Sequence, residues 1–336
     1  MQHAIAFHNI FSFRVSQHSL IINLKPYDFL LFDLHEFRVT LEGDGRRCMG
    51  ELTKDLLLCQ SQQPEDLILL DKDYQVIKRV KNLKLYPNIY LNQDCVYFRG
   101  RRKLKSWFKL NFDNLEISEL AGDLNSRAVI VDETAIYWNG TMLESVKLVQ
   151  DGVAPLWQLD VYKLLSLEKG QSNEFEIILL SRNIILLVAK YRKINIRINV
   201  SNGEILDVID NASFLDLSND GEEAYFFHYK DGNLKVLEPQ SKGLKSLDFP
   251  AIGLLDLTEA EKISIRISKN IIAIPTLVGR MHFFDRKTCS KVHELDLETP
   301  PTKYLKLPLH YKIFEDTAII RFGTTISAPL KVIQIR

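Results

Sequence analysis

Asp216–Leu247 reads DLSNDGEEAYFFHYKDGNLKVLEPQSKGLKSL, and the spacing of its turns decides the fold. Leu215–Leu217 runs into Asn219-Asp220-Gly221, and Ala224–Tyr229 returns from it. Lys230-Asp231-Gly232 then releases Leu234–Leu237, and Gln240–Gly243 releases Leu244–Leu247. Asp-Gly between apolar runs is a strong hairpin signal, because glycine takes a positive φ without steric cost. The stretch predicts four short antiparallel strands in succession.

The first half of that unit recurs on both sides as an apolar strand, a polar turn and a second apolar strand. Arg14–Asn23 turns around Gln17-His18, Leu52–Gln60 at Lys54-Asp55, and Ile89–Phe98 at Gln93-Asp94. Val129–Trp138 turns at Asp132-Glu133 and Ile177–Val188 at Arg182-Asn183. Beyond the Asp220-Gly221 copy come Ile265–Ile274 at Lys269-Asn270 and Ile313–Phe322 at Glu315-Asp316. Successive turns lie about 37 to 50 residues apart, which brackets the roughly 40–45 residues of a propeller blade.

The second half of each unit pairs an almost wholly apolar strand with one of strict alternation. Leu67–Val80, Trp107–Leu120, Ile196–Ile209 and His282–Leu297 show it. A strand buried on both faces reads as a continuous apolar run, whereas an outer strand keeps one wet face. These patterns predict an all-β fold, a single β-propeller of seven or eight four-stranded blades spanning residues 1–336. The last unit, Lys312–Ile335, supplies only three strands, and HAIAFHN at the N-terminus is unassigned. Pairing the two would close the last blade and cover an exposed sheet edge.

Two stretches carry a resemblance to known propellers. LSNDGEEAYFF (Leu217–Phe227) resembles the Ser-Pro-Asp-Gly turn of TolB-like and YVTN-type propellers. VSNGEILDV (Val200–Val208) resembles the Thr-Gly-Lys turn of PQQ-like and YVTN repeats. The likeness implies the propeller class and no functional family within it. The Trp-Asp and Gly-His pairs of WD40 repeats, the Gly-Gly of kelch repeats and the Asp-box are all missing. One segment, residues 139–173, departs from the period. It holds PLWQLDVYKLLSL and the polar run Glu168–Glu174, so an insertion is expected in that blade.

Composition narrows the function classes. Lys plus Arg equals Asp plus Glu at 43 each, so no global charge drives the chain toward nucleic acid or an acidic membrane. No apolar run approaches the roughly 18 residues of a membrane span. Cys48, Cys59, Cys95 and Cys289 show no CxxC spacing, and MQHAIAFHNIFSF lacks the basic and apolar regions of a secretory signal. A cytoplasmic protein with free thiols is the expectation.

Motifs for chemistry are mostly missing. The eight histidines form no HxH or HExxH pair, and GxSxG, GxGxxG and a phosphate-binding loop do not occur. No metal or cofactor is expected. One charge run stands out: Arg99, Arg101, Arg102, Lys103 and Lys105, followed by Trp107, in the turn between the second and third strands of a unit. Its ordinary reading is a solvated loop; its functional reading is a grip on an acidic partner. Trp157 and Tyr162 in the irregular segment are the other candidate anchors, against the reading of Trp157 as a core residue.

Two function classes follow. The preferred one is a non-enzymatic scaffold that binds another protein, with the oligomeric state left open and a monomer favoured. By analogy with single-domain antagonists, it extends to a bacterial immunity protein that neutralises a partner toxin. The alternative is a propeller hydrolase, lyase or sugar-binding enzyme with its site in the central channel.

Overall fold

The computed structural model describes residues 4–15, 19–25, 27–53, 55–62, 65–101, 105–120, 124, 127–149, 152–166, 175–189, 192–218, 223–238, 241–247, 249, 254, 256–277, 279–296, 310–321 and 329–336. They form eight four-stranded antiparallel sheets, an eight-bladed β-propeller. All eight sequence-marked hairpins occur. Their turn residues Gln17-His18, Lys54 and Asp220-Gly221 lie outside the described residues.

The chain divides into two compact units. Phe11–Ser172 with Val200–Gly203 carries blades I to IV. Blade I contains Ile10–Val15, Ser19–Leu24, Asp28–Asp33 and Arg38–Gly43; blade II contains Arg46–Thr53, Leu56–Ser61, Leu67–Asp71 and Val76–Val80. Blade III contains Lys84–Leu91, Cys95–Arg101, Lys105–Asn111 and Ile117–Glu119. Blade IV contains Val129–Val131, Thr134–Trp138, Leu143–Val149 and Gly152–Leu159.

The other unit holds Met1–Ile10, Asn173–Asn199 and Glu204–Arg336. Blade V contains Phe175–Ser181, Ile184–Ala189, Ile194–Asn199 and Ile205–Ile209. Blade VI contains Ala212–Leu217, Ala224–His228, Asn233–Leu237 and Lys245–Ser246. Blade VII contains Arg266–Ile267, Ile271–Pro275, Arg280–Asp285 and Lys291–Asp296. Blade VIII takes His310–Phe314, Thr317–Arg321 and Leu330–Gln334 from the C-terminus and Ala4–Phe7 from the N-terminus.

Both faces of the middle strands are buried, and the two-residue period decides which neighbour each side chain meets. In Leu56–Ser61, Leu57 and Cys59 pack with Ile21, Phe29 and Leu31 of blade I. Leu56 and Leu58 point the other way, to Leu83, Leu85, Val96 and Phe98 of blade III. The same division gives the core between blades III and IV, and those between blades V and VI, VI and VII, and VII and VIII. Buried amides cross these cores. Asn23 grips both the N–H and the carbonyl of Cys48, and Asn195 Nδ2 donates to the Ala212 carbonyl. Each such bridge meets a backbone group that the adjacent ladder leaves unpaired.

The fourth strands are sheet edges and expose apolar side chains. Of thirteen exposed large apolar residues among those described, eight lie on fourth strands, Val76, Ile77, Leu156 and Val208 among them. Part of the insertion expected at 139–173 lies among the described residues. Leu143–Val149 and Gly152–Leu159 are ordinary third and fourth strands, and the described addition is one helical turn, Val161–Leu164, capped by Asp160. The run Glu168–Glu174 lies outside the described residues.

Ala4–Phe7 pairs in full register with Leu330–Ile333. Arg321 Nη2 holds the Ile10 carbonyl at 3.1 Å where the chain leaves that strand. Deleting residues 1–8 should therefore bare the edge of Leu330–Gln334 and remove buried Phe7, costing roughly 2–4 kcal/mol. Chemical denaturation and light scattering will show a lower midpoint and greater association; an unchanged midpoint would place closure elsewhere.

A second consequence concerns acid. Asp231 lies in the turn between Ala224–His228 and Asn233–Leu237. Burial would raise its pKa, but Lys235, His228 and the Asn233 N–H outweigh it and hold it at about 2. A depressed carboxyl stabilises the fold above its unfolded pKa, near 3.8, and the benefit is lost as pH falls through about 2. Asp231→Asn should lower the melting temperature at pH 7 and leave it unchanged near pH 2. A deficit that persists in acid would assign the loss to turn geometry instead.

Candidate functional site

The basic run lies where expected, at the hairpin joining Cys95–Arg101 to Lys105–Asn111 in blade III. Cys95, Tyr97, Arg99 and Arg101 occupy one face of their strand, since alternate residues share a face. Cys95 and Tyr97 are buried against blade IV, Arg99 is half-buried with its guanidinium 5.4 Å from the Tyr86 ring, and Arg101 is exposed. One face thus passes from core to charge along its length.

The register adds a cation that the sequence run did not include. Arg101 stands opposite Lys84 on one neighbouring strand and opposite Lys105 on the other. Lys84, Arg101 and Lys105 therefore share one register row across three neighbouring strands. Lys84 Nζ meets Glu65 Oε1 at 2.6 Å, which offsets part of the repulsion. Like charges directly opposite one another destabilise a sheet, so folding stability does not account for this row. Arg102 and Lys103 lie outside the described residues.

Trp107 is a correction. It follows the charge run in sequence but sits opposite Arg99 in the ladder, 3% exposed, in the core with Ala128, Ile130 and Ala135. Its ring lies 5.8 Å from that of Tyr90. Strand alternation turns this side chain inward, so it braces the basic hairpin and offers no contact surface. Tyr162 is likewise buried, at 6% exposure, with its ring 5.6 Å from Trp138. Trp157 is half-buried: its Nε1 donates to the Val200 carbonyl at 2.7 Å, and its ring closes over Gly203. Gly203 has φ +72° and no room for a Cβ, which would lie 2.7 Å from the indole. The Ser-Asn-Gly turn of VSNGEILDV is thus shaped partly to seat Trp157.

A second constellation, in blades V to VII, was not singled out in the sequence. A pocket of about 640 Å³ is lined by residues spread from Glu176 to Arg266. Lys193, Asn195, Ser213 and Glu259 supply polar groups; Phe214, Leu215 and Ile263 supply apolar wall. Glu259 opens a short helix, Glu259–Ile263, whose start is fixed by a reciprocal capping box between Thr258 and Glu261. Tyr229 donates to Glu259 Oε1 at 2.5 Å, and burial followed by that bond pushes its pKa up to about 12. The hydroxyl therefore keeps its proton throughout the neutral range. No group of three or more His, Cys, Asp or Glu that could hold a metal occurs among the described residues.

No protein-family model matches the chain, and no curated protein matches it in sequence. Solved structures similar to it include Ika8, a computationally designed protein, at 12% identity over 96% of each chain with a TM-score of 0.54. BamB from Moraxella catarrhalis aligns at 9% identity over 99% of this chain and 98% of its own, with a TM-score of 0.53. Hsv2 from Kluyveromyces lactis aligns at 13% identity over 87% of this chain and all of its own, with a TM-score of 0.51. At such identities the shared property is the fold. The chain is a β-propeller of no specific functional family.

If the cation row is kept for a purpose other than stability, neutralising its centre should help the fold. Arg101→Thr is expected to stabilise the protein by up to ~1 kcal/mol in low salt and by less in high salt. Urea unfolding at two ionic strengths reads this directly. A destabilised variant would show that Arg101 serves the sheet itself.

Proposed function

We propose that this protein is a non-catalytic scaffold that docks an acidic surface of another protein. The carrying observation is the row Lys84–Arg101–Lys105, three cationic residues in one register row across neighbouring strands, with Arg101 exposed. Packing fixes the hairpin from beneath, through Trp107 and Phe108. A rigid charged element loses little conformational freedom on binding, so its electrostatic gain is retained. Zero net charge over the whole chain favours a protein patch over a nucleic-acid backbone as the partner. The apolar side chains on the blade edges supply the other ingredient of a protein interface.

Within that class the finer reading is an antagonist that works by occupancy alone, such as an immunity protein bound to a toxin in a bacterial cytoplasm. The cytoplasmic placement is supported by the thiols of Cys48, Cys59 and Cys95. Cys48 and Cys59 stand opposite each other across two strands as thiols, a pair that an oxidising compartment would readily join. Mass spectrometry of the unreduced protein should find both alkylatable after unfolding. A Cys48–Cys59 disulfide would count against the cytoplasm.

The scaffold reading is tested by affinity capture from the native host, followed by charge reversal. Arg99→Glu with Arg101→Glu should lower the association rate of the captured partner at least tenfold at low salt and flatten its salt dependence, with dissociation little changed. Capture of no protein, or a partner whose association ignores both substitutions, would refute the assignment of this hairpin.

A further inference from the structure

The pocket of blades V to VII contains a buried polar atom that the fold leaves unanswered. Asn195 is fully buried, and its Nδ2 donates to the Ala212 carbonyl at 2.8 Å. A carbonyl can only accept, so this bond fixes the orientation of the amide. The nitrogen faces Ala212, and the oxygen is left without a hydrogen-bond partner in a residue that lines the pocket. Buried acceptors are nearly always satisfied, and one that is not calls for a donor from outside the protein.

Ser213 adds a second acceptor by the same logic. Tyr229 has one hydroxyl proton and gives it to Glu259. Its 3.0 Å contact with Ser213 must therefore be donated by the serine, whose Oγ lone pairs stay open. Both cations of the wall are already paired with carboxylates, and Glu176 adds a further acid to its lining. Lys193 lies 3.4 Å from Glu259, and Arg266 lies 3.6 Å from Asp216. Arg266 Nη1 also donates to the Ile263 and Ile265 carbonyls, which leaves its Nη2 N–H groups, and the Lys193 ammonium, 3.5 Å from the Tyr229 ring centroid, has three N–H groups to share.

An occupant must donate to Asn195 and Ser213, accept from Lys193 and Arg266, and avoid breaking either ion pair. A carboxylate or phosphate fails the first condition, and an ammonium fails the second. A hydroxyl both donates and accepts without charge, and several hydroxyls on one small body would meet all four groups. Phe214, Leu215 and Ile263 give such a body an apolar wall, and the volume lies within the range of small-molecule sites. We propose that this pocket binds a neutral carbohydrate. The proposal goes beyond the scaffold reading, and either can fail without the other.

Saturation-transfer NMR on the full chain tests it, with D-glucose, N-acetylglucosamine and maltose as neutral probes. Glucuronate and glucosamine serve as the acidic and basic counterparts. At least one neutral probe should receive transfer, and its charged counterparts should bind at least about threefold more weakly. Ile263→Trp fills the mouth from a position 46% exposed on the helix, leaving the polar wall untouched. It should abolish the signal while the melting temperature stays constant. Ser213→Ala should weaken the dissociation constant about threefold to tenfold, the loss of one neutral hydrogen bond. The proposal is overturned by no transfer to any neutral probe, by equal binding of the charged sugars, or by a signal that survives Ile263→Trp.

Discussion

Everything in this fold depends on strands that are buried on both faces. A strand such as Leu56–Ser61 cannot be satisfied by its own sheet, because one blade covers neither face. Each blade needs a neighbour on both sides, and stability becomes a property of successive inter-blade cores. This is why the closing strand matters out of proportion to its length. Ala4–Phe7 is four residues long, but without it Leu330–Gln334 would end the last sheet as an open edge. It also explains the buried amides. Where two blades press together, backbone groups at strand ends lose water, and Asn23 or Asn195 must replace it.

The same double burial governs what the sequence could reveal. Hairpins are local events, so eight polar turns between apolar runs were enough to place the first two strands of every blade. Face assignment within a strand is also local in principle, through the two-residue period. Trp107 was nevertheless read as part of the charge run, because it follows Lys105 closely in sequence. Its partner across the ladder is Arg99, and the register turns the indole into the core. Lys84 is the converse case. Its distance in sequence hid it, and pairing brings it beside Arg101.

The pocket was illegible for a different reason. Its residues come from three blades, and no window of sequence contains more than a few of them. Asn195 sits in INIRIN, where it reads as an ordinary polar residue at the start of a strand. Only the position of the Ala212 carbonyl, supplied by the next blade, shows which way its amide must face. Trp157 is similar: its anchor is the Val200 carbonyl, and its contact surface is a glycine in the Val200–Gly203 turn.

Overall neutrality and local charge are not in conflict in such a molecule. A propeller presents many turns, and each can carry its own sign while the sum stays at zero. In the hairpin of blade III cationic residues share one register row, and Lys84 meets the carboxylate of Glu65. In the pocket of blades V to VII the cations are each met by an acid, Lys193 by Glu259 and Arg266 by Asp216. The first arrangement projects a field over about a Debye length, roughly 8 Å at physiological salt, and so acts on partners before contact. The second projects little field and acts only through directed hydrogen bonds once a ligand is inside. The proposed docking row and the proposed sugar pocket thus call on different physics, long-range steering in one and short-range selection in the other.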